Sequence, residues 1–69
     1  MNKYTAIIKQ RNDWWIGWIQ EVPGVNCQEK THATLLDSLK KTLEEALEFN
    51  RRDAISYAGD DYLEENIAL

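Results

Sequence analysis

Residues 13–25 read DWWIGWIQEVPGV and place three tryptophans within five positions, followed by a Pro-Gly pair. Successive side chains of a β-strand point to opposite faces, so Trp14 and Trp18 are predicted to share one face while Trp15 lies on the other. A single helix packed on a sheet buries only one of the two faces. We therefore expect the second face to need a cover from outside the chain's own helix.

The sequence around this segment predicts three strands in an antiparallel meander. Residues 3–10, KYTAIIKQ, contain β-branched and aromatic side chains and end at a polar cluster, as a strand before a hairpin turn does. Residues 14–21 form the returning strand and residues 25–30 a third. Between them, Pro23 and Gly24 fit the second and third positions of a type II turn. Gly17 in mid-strand either leaves room for neighbouring rings or lets a ligand approach.

The sequence after the third strand predicts one amphipathic helix, with Thr31 as its N-cap and Gly59 placed to end it. The residues whose helical spacing forms the expected covering stripe are Leu36, Leu39, Leu43, Ala46, Leu47 and Asn50, with Leu35 beside them. The run 51–53, Arg-Arg-Asp, interrupts the stripe, so the last turns are expected to leave the sheet. The pairs expected to bridge on the solvated side are Lys40–Glu44, Lys41–Glu45 and Glu48–Arg52.

The tail, residues 62–69 (YLEENIAL), could add a fourth strand at a sheet edge. The predicted fold class is therefore α+β, with an antiparallel sheet of three to four strands and one covering helix in the order β-β-β-α-β. The 69 residues form one domain, 1–69. A chain of this size has a thin core, and Cys27 alone can form neither an intrachain disulfide nor a cysteine-rich zinc site. Association is the remaining source of stability.

The composition predicts a cytoplasmic protein without a membrane segment, because it shows no apolar leader and no apolar run of about 18 residues. Cys27 is interpreted as a small buried side chain rather than a reactive thiol, since no basic cluster stands beside it in sequence. These features are typical of a reducing compartment.

Charge is divided unevenly along the chain, which carries a net charge of −4. Residues 1–43 hold six basic and four acidic side chains, whereas residues 44–69 hold two basic and eight acidic ones. The overall balance argues against direct nucleic-acid binding, which requires a basic patch. The acidic end either attracts a basic partner or simply keeps the protein soluble.

The sequence offers little for catalysis, and an enzyme is not expected. It has no phosphate-binding glycine loop, no nucleophile elbow and no metal-ligand spacing. His32, the one histidine, falls on the first helical turn, where solvation is the simplest interpretation. No catalytic residue, metal site or cofactor is predicted, and a binding module is the better class.

The run WWIGWIQEVPGVNCQEKT followed by a leucine-patterned helix resembles the HicB antitoxin family. The resemblance extends from Tyr4 to Leu69, and the positions that match are Trp14, Trp15, Trp18, Pro23, Gly24, Gln28 and Thr31. The chain departs from the family pattern at Glu29, where glycine is usual, and at residues 33–35, where the family tends to have Glu-Glu-Ala.

The resemblance implies a truncated ribonuclease H-like fold, self-association, and neutralisation of a small basic HicA-type toxin that cleaves messenger RNA. Ribonuclease H chemistry needs carboxylates on the first strand to hold metal ions, and KYTAIIKQ contains none. Many family members carry an additional DNA-binding domain for which this chain has no room, so direct operator binding is not expected.

The function expected from this resemblance is occlusion of the toxin's RNA-binding surface by an antitoxin-like homodimer or higher homo-oligomer. The residues expected to bind the toxin are Glu44, Glu45, Glu48, Tyr57, Asp60, Asp61, Tyr62, Glu64 and Glu65. The residues expected in self-association are Trp14, Trp15, Trp18, Ile67 and Leu69. Tyr57 and Tyr62 either anchor the partner or cap the core. The alternative function is a stand-alone dimeric scaffold or small-ligand-binding domain without a toxin.

Overall fold

The computed structural model describes residues 3–68, so the prediction for Leu69 lies outside the described residues. The elements are β1 (Ala6–Arg11), β2 (Trp14–Ile19), β3 (Asn26–Glu29) and α1 (His32–Ala58). The predicted α+β class, with an antiparallel sheet and one covering helix, is confirmed.

The three strands form an antiparallel sheet in the order β1-β2-β3. Gly17 in the central strand lies opposite Ile8 of β1 and Cys27 of β3, which fixes the register of the whole sheet. The turn into β3 has the predicted geometry: Gly24 has a φ of 90°, and the N–H of Val25 donates to the carbonyl oxygen of Val22 at 3.4 Å. A positive φ at the third position is the reason that a type II turn favours glycine.

Both ends of α1 are capped as the sequence predicts. The Thr31 hydroxyl oxygen accepts a hydrogen bond from the Thr34 N–H at 3.1 Å, which satisfies one free donor of the first turn. At the other end, Gly59 has a φ of 78° and its N–H donates to the carbonyl oxygen of Ile55 at 3.1 Å. The helix therefore begins and ends where its capping residues stand.

The core lies between the sheet and the first half of α1. Its buried side chains are Ile19, Val22, Val25, Leu35 and Leu39, and the partly buried residues around them are Ala6, Ile8, Trp15, Cys27, Leu43, Ala46 and Leu47. Leu35 is fully buried whereas Leu36 is 41% exposed, so the prediction that Leu36 belongs to the covering stripe is wrong. The rest of the predicted stripe, Leu39, Leu43, Ala46 and Leu47, does face the core. At its start Leu35 takes the place of Leu36, because Leu35 and Leu39 both pack against Gly17, and at its end Asn50 is exposed.

A side-chain hydrogen bond also ties α1 to the sheet. The Ser38 hydroxyl donates to a carboxylate oxygen of Glu29 at 2.7 Å, on the covered side of β3. Of the three predicted pairs on the helix, the described side chains form one, between Arg52 Nε and Glu48 Oε1 at 3.0 Å. Packing and this polar contact, more than surface ion pairs, hold the helix on the sheet.

The second half of α1 extends beyond the core. Leu47 is the last helical residue that packs against it, and residues 48–58, the projecting half, continue for about 16 Å. Residues 62–68 have no strand conformation, so the described part of the tail does not form the predicted fourth strand. Instead the tail lies beside α1, where Arg51 holds Glu64 at 2.9 Å.

Candidate interaction surfaces

One face of the sheet is covered by α1 and the other is open. The cross-strand register places nine side chains on this open face. They are Ile7, Lys9 and Arg11 from β1, Trp14, Ile16 and Trp18 from β2, Asn26 and Gln28 from β3, and Lys30, which directly follows β3. Two of the predicted self-association residues, Trp14 and Trp18, therefore lie together, 37% and 40% exposed.

Trp15 points away from this pair, to the helix side of the sheet. Its ring makes an edge contact with the His32 ring, with centroids 5.1 Å apart and an interplanar angle of 73°. The structure therefore does not bring Trp15 together with Trp14 and Trp18. Ile67 is 85% exposed on the tail, and the tail forms no strand beside the sheet.

The open face combines positive charge with indole rings. Lys9, Arg11 and Lys30 belong to it, and none of its nine side chains is acidic. The Lys30 Nζ lies 3.9 Å from the centroid of the Trp14 ring, a cation–π contact, and Arg11 is the cross-strand neighbour of Trp14 on the other side. Residues from both neighbouring positions thus bring positive charge to the strand that carries Trp14, so this face is both apolar and basic, a feature that strand alternation alone does not reveal.

The acidic surface occupies the opposite end of the molecule. All nine residues predicted to bind a toxin are exposed there: Glu44, Glu45, Glu48, Tyr57, Asp60, Asp61, Tyr62, Glu64 and Glu65. The structure brings three of them, Glu44, Glu45 and Glu48, around a shallow depression with Phe49 and Arg52. Phe49 is 68% exposed and was missed by sequence reasoning. The sequence does contain a signal for it, because Phe49 lies outside the apolar stripe and follows three glutamates closely.

Two arginines on this surface are neutralised by neighbouring carboxylates. Arg51 donates two hydrogen bonds to Glu64, at 2.9 and 3.4 Å, and Arg52 is bound by Glu48. The hydrogen bond from Arg51 and its positive charge lower the pKa of Glu64, and the same contacts raise the pKa of Arg51. The carboxylates of residues 44–68 that form no described ion pair are Glu44, Glu45, Asp53, Asp60, Asp61 and Glu65.

The two tyrosines have different surroundings. Tyr57 is 87% exposed, so the interpretation that it caps the core is wrong. Tyr62 is 41% exposed and, with Leu63, lines a groove against Ala54, Ile55 and Ala58 of the helix. Tyr62 therefore packs against the projecting half rather than the core, and Tyr57 is the freer of the two aromatic rings.

Cys27 and the acidic side chains are also possible reactive or metal-binding groups. The Cys27 Sγ is half-buried on the covered side, 3.5 Å from the Thr42 hydroxyl oxygen. Within residues 3–68, no three His, Cys, Asp or Glu side chains are grouped so that they could hold a metal ion. Across the same residues, no helix is both long and apolar enough to cross a membrane.

The fold and these surfaces define a small α+β domain that carries a basic aromatic sheet face at one end and an acidic helix and tail at the other. No protein-family model matches the chain, and no curated protein or solved structure matches it either.

Proposed function

We propose that this chain is a cytoplasmic HicB-type antitoxin that binds a small basic HicA-type toxin and covers its RNA-binding surface. The observation that carries the proposal is the acidic surface, where six carboxylates form no described ion pair and Phe49 stands exposed among Glu44, Glu45 and Glu48. A nuclease that binds RNA presents cations to phosphates, and carboxylates placed against those cations exclude the RNA.

Interface energetics supports the same surface. Aromatic side chains in the centre of a charged patch supply much of the binding energy of protein interfaces, while the surrounding charges accelerate encounter. Phe49 and Tyr62 provide such anchors beside the carboxylates. In this proposal, the chain acts by occupying the toxin surface and contributes no catalytic group.

The test is a titration of the purified chain into an RNA-cleavage assay with a HicA-type toxin, in particular one encoded by an adjacent reading frame. We expect cleavage to stop near equimolar chain. The charge-reversed variant E44K/E45K/E48K should need at least about tenfold more protein for the same inhibition, because attraction becomes repulsion.

The control is D13K, which reverses an exposed acid in the turn between β1 and β2, outside the acidic surface, and should inhibit like the unaltered chain. Undiminished cleavage at a large excess of folded chain contradicts the proposal. A folded dimer that inhibits no such nuclease, from a locus without a short basic neighbour, would instead support the dimeric scaffold.

A further inference from the structure

The helix is about twice as long as the sheet that it covers. Its 27 residues span about 40 Å, whereas the six-residue strands β1 and β2 span about 20 Å. The described residues are correspondingly elongated, with extents of 51 × 24 × 15 Å. The projecting half, residues 48–58, therefore has roughly the length needed to cross a second sheet of the same size.

The side of the projecting half that would face such a sheet is defined by helical spacing. Leu39, Leu43 and Ala46 pack toward the chain's own core, and the same alternating steps of four and three continue to residues 50, 53 and 57. These are Asn50, Asp53 and Tyr57, all exposed. The neighbouring Phe49 is also exposed. The core-facing side of the helix thus continues past the sheet with residues 50, 53 and 57 exposed, while the tail lies against the neighbouring side at Ala54, Ile55 and Ala58.

The open face of the sheet determines what can lie on it. Two open faces pressed together would place Lys9, Arg11 and Lys30 of one copy near the same cations of the other, and like charges brought together at an interface are unfavourable. A suitable cover is therefore acidic and carries aromatic groups. The projecting half as a whole is neutral, but its two arginines are paired with Glu64 and Glu48. The side that continues from the core offers Asp53 and Tyr57, and the acids 60–61 follow directly after the helix.

We propose that two copies of this chain exchange their projecting helix halves, so that residues 48–58 of each copy cover the open sheet face of the other. This inference rests on the homodimer of the proposed function and specifies its geometry. The two sheets lie end to end in a middle layer. Each long helix covers its own sheet and then its partner's, with one helix above and one below.

A two-fold axis in the plane of the sheets relates the copies, so each contact occurs twice. Each helix–sheet contact needs to bury only about half of the 1,200–2,000 Å² that is typical of a stable interface. Asp53 lies opposite the partner's cations, and Tyr57 contacts the partner's indoles. A second copy thus covers both the open sheet face and the exposed core-facing side of the projecting half.

Charge exchange between two variants tests this arrangement directly. The variant K9E/R11E/K30E has an acidic open face, and D53K/D60K/D61K has a basic helix end. Each variant alone should be monomeric in sedimentation at concentrations where the unaltered chain has twice its 8.1 kDa mass. An equimolar mixture should form heterodimers, because each contact then pairs opposite charges.

A second measurement uses side chains whose removal cannot disturb the monomer. Tyr57 and Leu63 are 87% and 88% exposed, but only Tyr57 lies on the side of the helix that continues from the core. Tyr57→Ala should raise the dimer dissociation constant at least about tenfold, whereas Leu63→Ala should leave it unchanged. Circular dichroism confirms that each variant remains helical.

The proposal is overturned if the unaltered chain is still monomeric at a concentration on the order of 100 micromolar. It is likewise overturned if K9E/R11E/K30E remains a dimer, or if the mixture of the two folded variants stays monomeric. It is also overturned if a monomer binds a labelled oligothymidylate and K9E/R11E/K30E does not, since the open face would then serve a nucleic acid. None of these measurements contains toxin. A dimer that fails to inhibit the nuclease contradicts the proposed function alone, and an inhibitory monomer contradicts the exchanged dimer.

Discussion

Leu39 of the helix packs directly over the backbone of Gly17 in the central strand. A Cβ atom built on Gly17 would lie 3.1 Å from Leu39 Cδ1, 3.3 Å from Leu35 Cδ2 and 3.1 Å from the carbonyl oxygen of Ile7. Such separations are tighter than most van der Waals contacts of a Cβ atom. The absence of a side chain at position 17 is therefore what allows the helix to lie this close to the sheet.

We expect Gly17→Ala to lower the free energy of unfolding by about 1–3 kcal/mol, because the added methyl group must displace the two buried leucines or the backbone of β1. Urea denaturation monitored by circular dichroism measures the change. Ser56→Ala, at an exposed helix position, is the control and should change stability by less than about 0.5 kcal/mol. Unchanged stability of Gly17→Ala would contradict the close packing of the helix.

The N-cap gives a second prediction. Thr31→Ala removes the oxygen that accepts the Thr34 N–H and should cost about 1 kcal/mol of stability, measured in the same way. Thr31→Ser keeps the hydroxyl oxygen and should retain most of the stability. If alanine and serine were equally destabilising, the hydroxyl would not be the group that caps the helix.

The Arg51–Glu64 pair makes the position of the tail sensitive to pH. Because the folded state lowers the pKa of Glu64 from its ordinary value of 4.5, the stabilisation is complete well above 4.5, declines near it and is lost as the pH falls through the lowered value. We expect the amide NMR shifts of Leu63 and Ile55 to follow this acidic transition. Glu64→Gln should abolish it, whereas Glu65→Gln should leave it in place.

Phe49 separates folding from partner binding. Its side chain is 68% exposed and outside the core, so Phe49→Ala should change the free energy of unfolding by less than about 0.5 kcal/mol. If the acidic surface binds a toxin, the same substitution should weaken inhibition of RNA cleavage about tenfold. Ser56→Ala again serves as the control, and full inhibition by Phe49→Ala would remove Phe49 from the toxin contact.

Much of the fold follows from local chemistry that is visible in the sequence. Strand alternation correctly separated Trp14 and Trp18 from Trp15, and the capping preferences of Thr31 and Gly59 located both helix ends. The turn at Gly24 followed from the need for a positive φ. Each of these features depends on a residue and its near neighbours, which is the information that a sequence pattern contains.

Features that depend on distant contacts were harder to predict. Adjacent leucines at positions 35 and 36 fit the same helical period, and only the packing on Gly17 shows that Leu35 is the buried one. The tail alternates like a strand, but Arg51 and the groove beside Ile55 hold it on the helix. Arg11 and Lys30 lie far apart in sequence, so their shared proximity to Trp14 can be seen only when the strand register is known.

The distribution of the three indoles over the two sides of the sheet also has a spectroscopic consequence. Trp15 lies against His32 on the helix side, so its fluorescence emission should follow detachment of the helix. Trp14 and Trp18 lie exposed on the open face, so their fluorescence emission should change when a partner binds there. Variants that retain a single indole would thus turn the chain into two separate optical reporters, one for unfolding and one for complex formation.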